Sequence, residues 1–141
     1  MSKDKATAKF MLPAMRGKAL HKYISQKTVE GLDSLGFEVS AEYPICLANG
    51  GKDYIDLLVS CCAFDLAIEI ETTPRNVLSN AAKANELGLQ LWIVTPNKKI
   101  SLAVARKLKQ SAFTDSSQIR ILTLGQFLNL SLSQIIALWK G

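Results

Sequence analysis

Alternation through residues 54–60 places Ile55, Leu57 and Val59 on one face of a strand, and through residues 66–71 it places Leu66, Ile68 and Ile70 on one face of a second. The connector is short, so the two strands are expected to form a hairpin. Asp56, Glu69 and Glu71 then share the opposite face. With the turn centred between Cys62 and Ala63, antiparallel register sets Asp56 opposite Glu69.

Helical spacing dominates on both sides of this hairpin. Residues 13–35 predict a helix opened near Pro13 and stopped by Gly36, with Leu20, Ile24, Thr28, Leu32 and Leu35 near one face and Gly31 as a weak point. Residues 37–45 predict a strand ended by Pro44 and the Asn49-Gly50-Gly51 turn. Thr73-Pro74 has the form of a helix start, Thr as cap and Pro at the first helical position. That helix is expected to run to Leu87, with Val77, Leu78, Ala81, Ala82 and Ala84 inward, Asn76, Asn80 and Lys83 on another face, and Gly88 as its stop. Residues 89–95 are nearly all apolar, the mark of a central strand covered on both sides, and the strand-helix-strand order makes it parallel to the 66–71 strand. A helix over 101–110, a strand over 119–123 and a Ser-capped helix over 131–139 complete the chain. The order predicts a three-layer α/β fold, a central mixed sheet with helices on both faces.

The length of 141 residues fits one domain spanning residues 1–141, with residues 1–12 expected as a flexible basic arm. No apolar run is long enough to cross a bilayer and no signal-peptide order opens the chain, so a cytoplasmic protein without membrane contact is expected. Cys46, Cys61 and Cys62 lack CxxC spacing and His21 is the lone histidine, which supports neither a zinc site nor a disulfide framework; the cysteines read as small, mostly buried residues. The net charge of +5 is uneven. Lys3, Lys5, Lys9, Arg16, Lys18, Lys22 and Lys27 face only Asp4 in the first 29 residues, and Lys98, Lys99, Arg106, Lys107 and Lys109 form a second group. Such clusters suit a phosphate polyanion, and equally a solvated basic surface.

Three carboxylates on one hairpin repel one another unless one protonates or a cation sits between them, so the arrangement anticipates a hard divalent metal. An apolar-in, acid-out strand facing water is the plainer reading. Lys18, His21 and Lys22 lie together beside the apolar stripe of the first helix, where His21 reads either as a phosphate contact or as a structural residue. Arg75, Asn76 and Asn80 stand where helix-start amides and side-chain donors take phosphate oxygens, or where a helix face is solvated. Glu42 offers a further acid or a solvent-facing one. The apolar run over 124–139 suits either a dimer interface or a cover for the sheet.

A helix, three antiparallel strands with Asp on the second and Glu-x-Glu on the third, then a helix and a parallel strand, resembles the PD-(D/E)XK nuclease superfamily over residues 16–100. The resemblance implies a restriction-endonuclease-like fold with Mg2+ (or Mn2+) held by Asp56 and Glu69. Glu71 stands at the family's Lys position, where some restriction enzymes of the superfamily also carry Glu. Arg16-Gly-Lys-Ala-Leu-His21, followed by Leu35-Gly-Phe-Glu-Val39, is similar to the opening of archaeal Holliday-junction resolvases, whose first helix supplies a Glu where His21 stands. Glu69-Ile-Glu-Thr-Thr73 with Asn80-Ala-Ala-Lys83 and Gly88 is similar to nuclease-like domains attached to mobile-element ATPases, in which a Lys on the following helix, here Lys83, replaces the usual one.

The implied activity is metal-dependent hydrolysis of DNA phosphodiester bonds. Its catalytic set is Asp56, Glu69, Glu71 and Lys83, with Glu71 a further metal ligand or the acceptor of the water's proton, provided the Lys83 stem reaches back over the helix start. Arg16, Lys18, His21, Lys22, Arg75, Asn76 and Asn80 are its DNA contacts. Cutting both strands or a junction implies a homodimer, and the mobile-element likeness implies an ATPase partner. The alternative is a catalytically silent DNA-binding or assembly module with the same fold.

Overall fold

The computed structural model describes residues 12, 14–61, 64–111 and 118–140. Most of the expected basic arm, Pro13 and the Cys62-Ala63 turn lie outside the described residues. The elements run α1 (Gly17–Ser34), β1 (Glu38–Cys46), β2 (Lys52–Cys61), β3 (Phe64–Ile70), α2 (Val77–Leu87), β4 (Gln90–Thr95), α3 (Lys98–Lys109), β5 (Ile119–Thr123), α4 (Leu124–Leu128) and α5 (Leu132–Lys140). The strands form one five-stranded sheet in the order β1-β2-β3-β4-β5, antiparallel through β3 and parallel from β3 to β5.

The sheet carries helices on both faces, the three-layer α/β arrangement that the element order predicts. On one face Leu57, Val59, Leu66, Ile68, Ile70, Trp92 and Val94 pack against Leu20, Ile24 and Leu32 of α1, with Leu124, Phe127, Ile135 and Trp139 from α4 and α5. On the other, Leu58, Ala67, Leu91 and Ile93 meet Val77, Ala81 and Ala84 of α2 and Val104 and Leu108 of α3. Strand β4 is buried on both sides, as its unbroken apolar run requires. The apolar side chains of 124–139 are largely consumed by this core, with Leu124, Phe127, Ile135 and Trp139 all buried, so that run covers the sheet.

Several boundaries differ from the sequence reading, each for a local reason. The Thr73-Pro74 start is displaced: Thr73 Oγ1 accepts the Arg75 amide in a turn of its own, and α2 begins only at Val77. Asn97 caps α3 three residues earlier than expected by accepting the Ile100 amide. The short helix α4, absent from the sequence reading, is set by a reciprocal capping box between Thr123 and Gln126. Gly31 does more than weaken α1: a Cβ there would lie 3.2 Å from Leu128 Cδ2, so the glycine lets α4 approach. Ala82 is exposed rather than inward, and Lys83 is buried in its place. Cys46 is a free, exposed thiol rather than a buried one. Among the described residues no helix is long and apolar enough to cross a membrane.

The register of the central hairpin is the expected one. Cys61 pairs with Phe64 and Leu57 with Ile68, a course that continued would set Asp56 against Glu69. The facing of β2 is not as expected. Leu57 and Val59 join the α1 side of the sheet, whereas Ile55 joins the α2 side, so the strand reverses its facing at Asp56. The β1 pairing is interrupted at the same level: Ala41 pairs with Leu57 and Tyr43 with Ile55, while Glu42 between them has φ 50, a left-handed backbone that a non-glycine residue adopts at a cost.

Candidate functional site

The interruption in β2 opens the site. Glu71 donates its amide to Val94 of β4, so alternation turns the neighbouring Ile70 amide toward β2. The regular β2-β3 pairing has already stopped at Leu57 and Ile68, and the Asp56 side chain supplies the missing acceptor, Oδ2 lying 2.8 Å from Ile70 N. The same oxygen is 3.2 Å from His21 Nε2 on α1. Helix α1 and two diverging strands therefore meet at one carboxylate.

From the other side of the sheet α2 supplies Lys83. Its phase places Asn80 and Lys83 over the end of β3. The long stem closes the gap that the sequence left open: Lys83 Nζ is 3.1 Å from Glu69 Oε2 and donates to the Tyr54 carbonyl, with Asp53 Oδ2 at 3.9 Å. Asn80 Nδ2 donates to Glu71 Oε2. Asn80 and Lys83 thus share one helix face, as read, but that face is turned into the site rather than to solvent.

These groups border a cleft of about 310 Å³ lined by His21, Asp53, Asp56, Glu69, Glu71 and Asn80, with Thr72, Thr73, Asn76 and Ser79 on its floor and rim. Asp53, Thr72, Thr73 and Ser79 were missed from sequence. Asp53 lies three residues before Asp56, a spacing that regular alternation puts on opposite faces, and it reaches the cleft only because the strand reverses its facing. Of the expected DNA contacts, His21, Asn76 and Asn80 line the cleft; Arg16, Lys18, Lys22 and Arg75 are exposed and do not line it. The second basic group is not wholly free for a polyanion, because Lys107 donates to the Pro74 and Arg75 carbonyls and holds the turn before α2.

The electrostatics follow from burial. Glu69 is 3% exposed, and removal from water, reinforced by the Asp56 charge and a hydrogen bond to it, pushes its carboxyl up to about 8 against the pull of Lys83. The ammonium alone does not keep Glu69 ionised. Glu71 is likewise raised by burial to about 7, with its Asn80 hydrogen bond opposing the shift and the Asp56 charge adding to it. Burial also works against the ionised form of Asp56, but the hydrogen bonds from His21 and the Ile70 amide outweigh it and hold that carboxyl below its usual range. His21 is raised, chiefly by its bond to Asp56 and against its own partial burial, with the charges of Glu71 and Glu42 adding to the effect.

The donor set suits a hard divalent cation. Asp56 and Glu69 offer carboxyl oxygens from adjacent strands to one polar cleft, and an added cation would take the place of the proton that burial and the Asp56 charge keep on Glu69. Among the described residues no three His, Cys, Asp or Glu groups converge into a complete ligand cage. One or two carboxylates completed by substrate phosphates is the usual manner of Mg2+, and Asp56 with Glu69 fits it, while Glu71 is engaged by Asn80.

No protein-family model matches this sequence, and no curated protein matches it significantly. Among solved structures, the crystal structure of AF1548, a protein of unknown function, is similar with a TM-score of 0.50 and 18% identity, over 71% of this chain and 57% of that one. The chain thus spans less than two thirds of that protein's length, and the likeness is one of fold.

Proposed function

We propose that this protein is a metal-dependent DNA endonuclease of the PD-(D/E)XK kind, hydrolysing phosphodiester bonds in the cytoplasm. The observation that carries the reading is Lys83 Nζ at 3.1 Å from Glu69 Oε2, whose carboxyl lines the same cleft as Asp56. The family's Lys position is taken by Glu71, and an ammonium delivered from the next helix restores a cation beside the acidic pair.

Asp56 and Glu69 would hold Mg2+ or Mn2+, which when bound polarises the phosphoryl group and makes water a stronger nucleophile. Lys83 fixes the Glu69 carboxyl and offers positive charge to the phosphorane-like transition state. Glu71, oriented by Asn80, is the further carboxylate available to take the proton of the attacking water. His21 positions Asp56. Arg16, Lys18, Lys22 and Arg75, exposed on α1 or its N-cap and in the turn before α2, would hold flanking phosphates.

One observation favours the silent-module reading. His21 already bonds Asp56, and Lys83 already bonds Glu69, so the acidic pair is partly compensated without any added ion. Cleavage of labelled duplex, branched and single-stranded DNA with Mg2+ or Mn2+, against EDTA and Asp56→Asn controls, separates the two. Metal-dependent cleavage lost in Asp56→Asn is the expected result; salt-sensitive binding with no cleavage under any metal would replace the nuclease with the silent module.

A further inference from the structure

Beyond Asp56 the β1-β2 hairpin continues as an arm whose two faces differ. Ile55 packs in the core beside α2 with Ile45 against it, and Asp53 approaches Lys83. The tip is held as well, the Ala48 amide donating to Glu86 at the end of α2. Alternation then turns Lys52 and Tyr54 to the opposite side of the arm, the side of the sheet on which α1 lies. Both are exposed there, Tyr54 at 58%, and Pro44, opposite Tyr54, is exposed too.

Tyr54 stands in the chain between Asp53 and Asp56, both of which line the cleft. Tyr54 and Asp56 are two residues apart, about 6.7 Å of strand, and Lys52 is the same distance further out. The backbone of Tyr54 is fixed relative to the acidic pair, because one ammonium, that of Lys83, bonds both the Tyr54 carbonyl and Glu69. Across the cleft His21 bonds Asp56, with the exposed Lys18 and Lys22 beside it on α1. A planar ring held at a set distance from the carboxylates, between cations on either side, matches a nucleic-acid strand with an accessible base face.

We propose that Tyr54 stacks on an unpaired base next to the scissile phosphate while Lys52 takes a neighbouring phosphate, so that the substrate is DNA carrying a single-stranded stretch rather than an uninterrupted duplex. This rests on the nuclease reading and narrows its substrate. A paired base keeps its faces inside the stack and offers the ring nothing; an unpaired one accepts it whatever its sequence.

The test is fluorescence anisotropy of labelled DNA with Ca2+ in place of Mg2+, using a single strand, a blunt duplex and a duplex with a single-stranded overhang. Wild type is compared with Tyr54→Ala, Tyr54→Phe and Lys52→Ala. Tyr54→Ala is expected to weaken the single strand and the overhang about tenfold and the blunt duplex by less than about twofold, with Tyr54→Phe retaining wild-type affinity. Lys52→Ala should reduce the salt dependence of binding on all three. Equal loss on duplex and single strand, or no loss on either in Tyr54→Ala while wild type binds and cleaves, overturns the stacking role and leaves the nuclease reading standing. Absence of DNA binding by wild type at low salt overturns both.

Discussion

Replacing Lys83 with methionine tests the architecture of the site at its most buried cation. The thioether keeps most of the stem volume, so the packing of the buried stem is preserved. What disappears is the donation to Glu69 Oε2 at 3.1 Å and to the Tyr54 carbonyl, at a residue only 7% exposed, where water does not readily substitute. Buried hydrogen bonds to a charged group are worth about 1.5–3 kcal/mol each. Relief of the buried ammonium, and the readiness of Glu69 to take a proton, offset part of the loss. The net destabilisation expected for Lys83→Met is about 2–3 kcal/mol. Over 141 residues, that lowers Tm by about 7–10 °C. Urea unfolding and calorimetry in EDTA at pH 7 measure it, on wild type, Lys83→Met, Glu69→Leu and the double variant. Removing one partner strands the other, whereas removing both leaves only the Tyr54 carbonyl without its donor, as in Lys83→Met alone, so the double variant should be more stable than the sum of the singles by more than about 1 kcal/mol. Lys83→Met within about 0.5 kcal/mol of wild type is the behaviour of an exposed side chain, and strictly additive singles are the behaviour of groups that do not touch; either result refutes the reasoning.

Asp56→Asn should abolish cleavage and also the thermal stabilisation by Mg2+ or Mn2+, which in wild type at a hundredfold excess over Kd amounts to about 2.7 kcal/mol; an undiminished shift in the variant removes Asp56 from the ligand set. Without metal, stability should fall as pH rises from about 4.5 toward 8. Folded Glu69 and Glu71 keep their protons to about 8 and 7 while the unfolded carboxyls release theirs near 4.5, so their contribution is complete below 4.5 and lost through the folded values. The slope is at most about 1.4 kcal/mol per pH unit for each group, and urea titrations of wild type and Glu69→Gln at pH 5 and 8 should show it flattened in the variant. Lys107→Met should cost no more than about 1 kcal/mol yet speed amide exchange at residues 75–79, since its ammonium holds the Pro74 and Arg75 carbonyls ahead of α2; unchanged exchange would mean that the turn holds itself.

The sequence carried the site where local rules apply and lost it where the backbone departs from them. The hairpin register from Leu57/Ile68 to Cys61/Phe64 was legible because a short connector fixes it, and Leu66, Ile68 and Ile70 share a face because β3 is regular. Ile55 was misplaced with Leu57 and Val59 because the facing reverses at Asp56, opposite a left-handed Glu42, and no periodicity announces a left-handed glutamate. Helical phase grouped Asn76, Asn80 and Lys83, but only the packing of α2 on the sheet decides that Asn80 and Lys83 look inward at Glu71 and Glu69. Thr73-Pro74 carried a genuine turn signal and misled as to which turn, because the Thr73 hydroxyl takes the very next available amide.

The bond from the Ile70 amide to Asp56 gives the protein an internal spectroscopic probe. Its proton belongs to the sheet, yet its acceptor belongs to the site, so any ion, proton or phosphate that draws electron density from that carboxylate must change the shielding of one backbone resonance. An amide spectrum of uniformly labelled protein could then follow events at the acidic pair by a single assigned peak, with no fluorophore, no substrate analogue and no turnover.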